Sequence, residues 1–387
     1  MELSIRAVFQ QHFANYAKKH KVPLFVHRAA HWLGLCRTSA LGGHIRLCPE
    51  GHVEHVWYNS CHQRCCPQCQ GLATERWLEA QKARLLECAH HHLIFTIPHE
   101  LNECWSFNRA PMTRVLFAAV RDTLAELLGD AKYLGARPAF ILALHTWGRS
   151  LALHPHIHAL VADGGLSEDG SWMSSRRSHF LPARVVMMVF RGKLLALLRE
   201  GLAKGALRLP PKQSRERFES LLNKLGRVKW NVHLRTRYAH GAGVATYLAR
   251  YLRGGPLKNA QLTEVNQHHI GFSYRPHGKA DDHTSQQAFM RLTPDQFFAR
   301  YLAHLPTPRV QSVRAYGLYA PTQRAKLDRA REQLGQAPVE RPPPLTPQAF
   351  LERFANAAPS LQCPTCRRPL ITQTLPRYAT GPPNLLH

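Results

Sequence analysis

The sequence predicts an α+β protein in which a helical, cysteine-rich N-terminal domain precedes a larger domain of strands and helices. Three observations carry this reading. Cysteines and histidines crowd between residues 48 and 69. Short apolar runs rich in β-branched and aromatic residues, at His91–Pro98, Ala139–Trp147 and His156–Ala162, read as strands. Between and beyond them, apolar residues recur at every third or fourth position, as on one face of a helix.

Taken in order, Glu2–His20 places Ile5, Val8, Phe9, Phe13 and Tyr16 on one face of a helix that Pro23 stops. The cysteine-rich segment follows. Leu72–Cys88 is the next amphipathic helix, and Trp105–Gly129 is mostly helical between the first two strands. After the third strand, Gly164-Gly165 and Asp169-Gly170 make turns. Leu181–Leu202 is a long helix, and 208–227 is a basic loop with a short helix. Val228–Arg237 alternates like an edge strand. Glycines bracket a further helix around residues 245–252, and Ile270–Pro276 with Gln287–Leu292 reads as a hairpin. Thr293 followed by Pro294 opens another helix, and Thr322–Leu334 is amphipathic. Ala337–Pro347 is a Pro-rich linker before a tail containing Cys363-Pro-Thr-Cys366.

Lys and Arg total 51 against 25 Asp and Glu, a formal net charge of +26. That excess points to a polyanionic partner, most simply nucleic acid. No apolar stretch free of charges has the length of a membrane span, and the N-terminus lacks the apolar core of a signal peptide. A cytoplasmic, nucleoid-associated protein with reduced cysteines is therefore expected, and no membrane partner.

Clustered cysteines in a reducing compartment suggest metal. Between Cys48 and Cys69 lie five Cys and three His. Cys66-x-x-Cys69 places two thiolates on one tight turn, half of a tetrahedral Zn²⁺ site. Cys48 and His52 offer the other half and Cys61 competes, so spacing leaves open which four of Cys48, His52, Cys61, Cys66 and Cys69 bind. Cys65 should point elsewhere, and Cys36 reads as core. Cys363 and Cys366 form an isolated CxxC, either unligated or completed by other residues.

Two further stretches carry the chemistry. In HPHIHALV the strand alternation puts His156 and His158 on one face, half of a divalent-metal site, with His154 at the strand entrance. In ATYLARYL, Tyr247 and Tyr251 stand one helical turn apart, flanked by Arg250 and Arg253 as DNA-contacting cations. A tyrosine hydroxyl is a weak nucleophile unless its target is activated, and a metal on the histidines would polarise a phosphodiester. Two tyrosines allow two covalent intermediates in sequence, as strand transfer requires.

The ordered set of zinc cluster, IFTIP strand, HTWGRSLALHPHIHALV, YLARYL and HLPTPRVQSVRAYG resembles the two-tyrosine HUH rolling-circle transposases of insertion sequences (the IS91 type) over about residues 20–335. The resemblance implies a ferredoxin-like or RRM-like antiparallel sheet with helices on one face. It also implies nicking and rejoining of single-stranded DNA at element ends and in target DNA, through 5′-phosphotyrosine intermediates. Tyr247 and Tyr251 would be the nucleophiles, and His156 and His158 the ligands of a catalytic Mg²⁺ or Mn²⁺. This chain departs from the pattern where CPEGH replaces a CxxC. Its tyrosine helix also offers no third metal ligand at the usual spacing, which leaves His145 or His154. The expected organisation is a zinc-binding domain at 1–90, an HUH endonuclease domain at 91–335 and a tail at 336–387. The alternatives are an HUH replication initiator or relaxase, or a non-catalytic zinc DNA-binding relative.

Overall fold

A computed structural model describes residues 2–175, 180–235, 237–243, 245–246, 255–276, 287–355 and 362–377. The chain opens with helices α1 (Ile5–Lys19) and α2 (Leu24–Leu35). The Ser4 hydroxyl accepts from Ala7 N–H and caps α1, and Pro23 both ends that helix and starts the next. Strands β1 (Gly43–Leu47) and β2 (Val53–Tyr58) follow, then α3 (Gly71–Lys82). The expected helix through Cys88 stops at Lys82, and the chain then turns so that the neighbours Leu85 and Leu86 are both buried.

The larger part begins with β3 (His90–Thr96), α4 (Asn102–Phe107) and α5 (Arg109–Gly129). One helix was expected across the last two. Asn108 divides it, because its side-chain amide and carbonyl are engaged by the backbone of Arg208 at 2.7 and 2.9 Å. Strands β4 (Arg137–Trp147), β5 (Leu153–Leu166) and β6 (Trp172–Ser174) come next, then α6 (Ala183–Ala203), α7 (Arg215–Leu225) and β7 (Val232–Leu234). A small antiparallel sheet is made by β8 (Leu262–Val265), β9 (Ile270–Tyr274) and β10 (Ala288–Leu292). The expected hairpin is thus two strands of three. Helix α8 (Pro294–Tyr301) starts with a reciprocal cap between Thr293 and Gln296. Strand β11 (Val313–Gly317), α9 (Arg324–Gln333), α10 (Pro347–Ala355) and β12 (Ile371–Leu375) complete the described elements.

The main sheet runs β11-β4-β5-β3-β7, antiparallel throughout, with β6 beside β5. Its two faces differ because residues two apart share a face. On one face Phe95, Phe140, Leu142, Ile157 and Val161 pack under α5, α6 and α7 through Phe117, Val120, Phe190, Leu194, Phe218 and Leu222. Burying side chains of this size stabilises by about 2–3 kcal/mol each. The other face is divided. At one end Ile141, Ala143, Leu160 and Ala162 pack with Leu78, Leu86, Tyr319 and Leu327. At the other end the same rows continue as histidine: His145 pairs with His156, and Ala143 with His158.

A second core crosses the expected boundary at residue 90. Phe9, Val26 and Leu33 from α1 and α2 share it with Cys61 and Cys66, and with Leu257, Phe272, Phe297, Phe298 and Tyr301. Nor does the 336–387 segment stand apart as a tail. Strand β12 pairs with β1 from Gly43↔Leu375 to Leu47↔Ile371, so the N-terminal sheet has the order β12-β1-β2.

Candidate nuclease site and zinc centre

The zinc centre is built where α2 ends and the CxxC turn begins. Cys36 caps α2, and Cys66 lies on the turn that leads into α3. The Cys36 and Cys66 sulfurs are 3.5 Å apart, and those of Cys61 and Cys69 are 3.7 Å apart. All four lie within 4.8 Å of one another. Thiolates bound to Zn²⁺ at about 2.3 Å stand about 3.7 Å apart along a tetrahedron's edges, so this donor set suits the ion. Cys65 is buried outside the group, and its carbonyl accepts from Tyr301 Oη at 3.2 Å.

This divides the single site expected from Cys48, His52, Cys61, Cys66 and Cys69. Cys36, read from sequence as core, stands in the group, while Cys48 and His52 lie in another one with Cys363 and Cys366. The reason is the β1–β2 hairpin: its turn carries Cys48 and His52 to the far end from Gly43 and Tyr58, where the chain rejoins α2 and Cys61.

The imidazole cluster lies on the open half of the main sheet. His145 on β4 and His156 and His158 on β5 bring ring nitrogens within 4.8 Å of one another. His156 Nε2 and His158 Nε2 are 3.1 Å apart. His154 is exposed at the strand entrance and lies outside this group, though its carbonyl accepts from His156 Nδ1 at 2.6 Å. That hydrogen bond fixes the His156 tautomer and leaves its Nε2 lone pair directed at the cluster. Sequence reasoning missed His92. Its Nε2 is 2.7 Å from His158 Nδ1, the contact by which a ligating histidine is commonly oriented. The signal lay in the run His90-His91-His92, whose alternation puts His90 and His92 on the face of His158.

Burial keeps these rings neutral. It lowers His156 and His92 to about 4 and His145 and His158 further; neighbouring histidines add repulsion at His145, His156 and His158, and the Arg235 guanidinium adds it at His92. Neutral imidazoles with converging lone pairs fit a divalent ion, and this donor set is the observation on which a metal rests.

Tyr247, Tyr251, Arg250 and Arg253 lie outside the described residues. The segments on either side are placed. Ala245 is buried in the core on the histidine-bearing face, with Leu160 and Ala162. A Cβ on Gly241 would meet the His90 ring at 2.8 Å. After the tyrosine segment, Gly255 has φ +77° and so little room that a Cβ would meet the Cys65 carbonyl at 2.2 Å. The described residues that flank the tyrosine segment thus lie on the sheet face of the imidazoles at Ala245 and against the Cys65 carbonyl at Gly255.

Two buried histidines away from the cluster give a pH prediction. Burial lowers both His90 and His304 to about 4. His90 is held by Tyr319 Oη and the Cys88 carbonyl, His304 by the Leu151 carbonyl. Unfolding restores values near 6.5, so the unfolded chain binds more protons between these limits. Stability is full above about pH 6.5 and falls as pH drops towards 4, by about 3 kcal/mol for each ring. Chemical denaturation of the wild type and a His304→Gln variant at pH 7.5 and 4.5 checks this. The variant should lose less stability on acidification, and an equal loss would rule His304 out as a contributor.

Among the described residues no helix is long and apolar enough to cross a membrane. A family model described as "Putative transposase" matches residues 139–326, and one described as "Transposase zinc-binding domain" matches residues 8–97. The "Putative transposase y4qJ" of Sinorhizobium fredii is 33% identical over 358 residues, covering 90% of this chain and 89% of that protein. The "Transposase for insertion sequence element IS801" of Pseudomonas savastanoi pv. phaseolicola is 32% identical over 294 residues, covering 74% of this chain and 68% of that one. Among solved structures, the metal-bound complex of the conjugative relaxase TrwC with oriT DNA covers 42% of this chain and 72% of its own. It does so at 15% identity and a TM-score of 0.23. Paired with a mixed α/β fold of antiparallel sheets and an N-terminal zinc-binding domain, the two transposase relatives settle the family: this chain is an insertion-sequence transposase of the IS91/IS801 type.

Proposed function

We propose that this transposase nicks and rejoins single-stranded DNA at the ends of its element through 5′-phosphotyrosine intermediates, in rolling-circle fashion. The observation that carries this is the sharing of one sheet face: the imidazoles and the chain entering Tyr247 both lie on it. In the first step the Tyr247 or Tyr251 oxygen bonds to the scissile phosphorus, and the bond from phosphorus to the 3′ oxygen breaks. The phenolic proton goes to solvent, and the departing 3′ oxygen takes one up. The 5′ phosphate stays on the tyrosine, and a 3′ hydroxyl attacking it reverses the step and joins the strands. A second tyrosine permits a second such exchange before the first is resolved.

His145, His156 and His158 would hold the divalent ion, and His92 would orient His158. When bound, that ion withdraws charge from the scissile phosphate. Three nitrogen donors favour Mn²⁺ over Mg²⁺, which prefers oxygen. Arg250 and Arg253 would contact the strand's phosphates, and the net charge of +26 would draw DNA to the site.

A labelled single-stranded oligonucleotide carrying an element end tests this on a denaturing protein gel with Mn²⁺. The wild type should give a covalent adduct, and the double variant Tyr247→Phe, Tyr251→Phe none. An undiminished adduct in the double variant would sink the assignment of the nucleophiles. Transposition of a marker flanked by the ends then separates a transposase from an initiator or relaxase with the same chemistry.

A further inference from the structure

The four residues Cys48, His52, Cys363 and Cys366 come from opposite ends of the chain, yet their donor atoms all lie within 4.8 Å of one another. Cys366 Sγ is 3.5 Å from Cys48 Sγ, and His52 Nδ1 is 3.4 Å from Cys48 Sγ and 3.9 Å from Cys363 Sγ. The sulfurs are too far apart for a disulfide, which needs about 2.05 Å. The separations suit the edges of a tetrahedron around Zn²⁺.

Both halves are shaped as ligand turns. Cys48 N–H donates to the His52 carbonyl at 3.1 Å, and Gly51 at φ +81° closes that turn. Arg367 N–H donates to the Cys363 carbonyl, and Cys363 N–H to that of Arg368, each at 2.8 Å, with Arg367 at φ +56°. A non-glycine residue in the left-handed region is uncommon and needs its surroundings to hold it there. Arg368 also pairs with Glu50 at 3.0 Å, a contact between the turns themselves. Cys48 and Cys363 are buried although the strands next to them, β1 and β12, are half exposed or more, so packing alone gives these thiols little reason to converge.

We propose that these residues form a second structural zinc site, of three thiolates and one imidazole, that clasps the C-terminal segment to the N-terminal sheet. It sits at the β1–β2 turn beside the start of β12 and locks the β1–β12 pairing in register. The site is independent of the nuclease proposal, since it uses none of that proposal's residues.

The full-length, reduced protein tests it. Metal-stripped wild type titrated with Co²⁺ should develop thiolate-to-cobalt charge-transfer absorption up to two equivalents per chain. The imidazole cluster adds none of this band, having no sulfur. Saturation at one equivalent would overturn the proposal without any variant being needed. Elemental analysis should find one zinc fewer per chain in Cys363→Ser, Cys366→Ser, and wild-type zinc content in His52→Cys, which keeps four ligands. Unchanged zinc in the double serine variant would likewise refute it. Trypsin gives a second readout at the Arg367–Arg368 bond, which follows Cys366 directly. Cleavage there should be slow in the zinc-loaded wild type and at least about tenfold faster in the zinc-loaded Cys363→Ser, Cys366→Ser variant; equal rates would refute the clasp.

Discussion

Replacing His158 with alanine should lower strand cleavage by at least about a hundredfold, an effect typical of losing one group that stabilises charge in a transition state. His158 has the largest share in the cluster: its ring faces His145 at 4.2 Å and His156 at 4.9 Å between centroids, and its Nδ1 meets His92. His154→Ala should cut at nearly the wild-type rate, because that side chain is exposed and outside the group. His92→Gln should fall between them and be partly restored by raising Mn²⁺, since it would act by orienting His158 and not by ligation. Single-turnover cleavage across a Mn²⁺ series distinguishes the three. Equal losses in His154→Ala and His158→Ala would remove the distinction on which the ligand assignment rests.

The second large effect concerns folding. Cys66→Ser, or removal of zinc by a chelator, should abolish cooperative unfolding of the second core, which joins α1 and α2 to Leu257, Phe272, Phe298 and Tyr301. Structural zinc sites contribute about 10–16 kcal/mol in small zinc modules, comparable to the net stability of a whole domain. Here the ligands are embedded among the apolar side chains of the second core, beside Phe9, Phe298 and Tyr301. Losing the metal would leave four converging thiols in that core with nothing to hold them. Because Gly255 rests on the Cys65 carbonyl, the loss should also slow cleavage. A thermal melt followed by circular dichroism, with zinc content measured on the same sample, checks the first part. A Cys66→Ser protein that melts like the wild type would show the centre to be dispensable.

What the sequence made legible follows from period and spacing. The three central strands of the main sheet are buried on both faces or alternate cleanly, so β3, β4 and β5 were expected within a few residues of where they lie. Of the helices that cover them, α5 and α6 have wide apolar stripes and were equally plain, while α7 was expected only as a short helix in a basic loop. Strands β1, β2 and β12 were missed because they are half exposed and carry His44, Arg46, His55 and Thr372 among their apolar residues. Their pairing also joins positions more than 300 residues apart, such as Gly43 and Leu375. The same distance hid the partners of Cys48 and His52, and Cys36 was hidden by its place at a helix end among apolar neighbours. Histidine spacing on β5 was readable because strand alternation is local. The position of His145 opposite His156 depends on the register of β4 against β5 across an irregularity before Trp147, and no local pattern states that register.

In the proposed mechanism the imidazoles of His145, His156 and His158 serve Tyr247 and Tyr251 as nucleophiles. Peptide mapping of the covalent adduct by mass spectrometry tests it most directly, using wild-type protein, Mn²⁺ and a single-stranded element end. The account predicts a phosphonucleotide on Tyr247 or Tyr251, and no adduct when His156 and His158 are both alanine. A nucleotide on any other residue, or an adduct on these tyrosines that forms as fast without the two histidines, would contradict it.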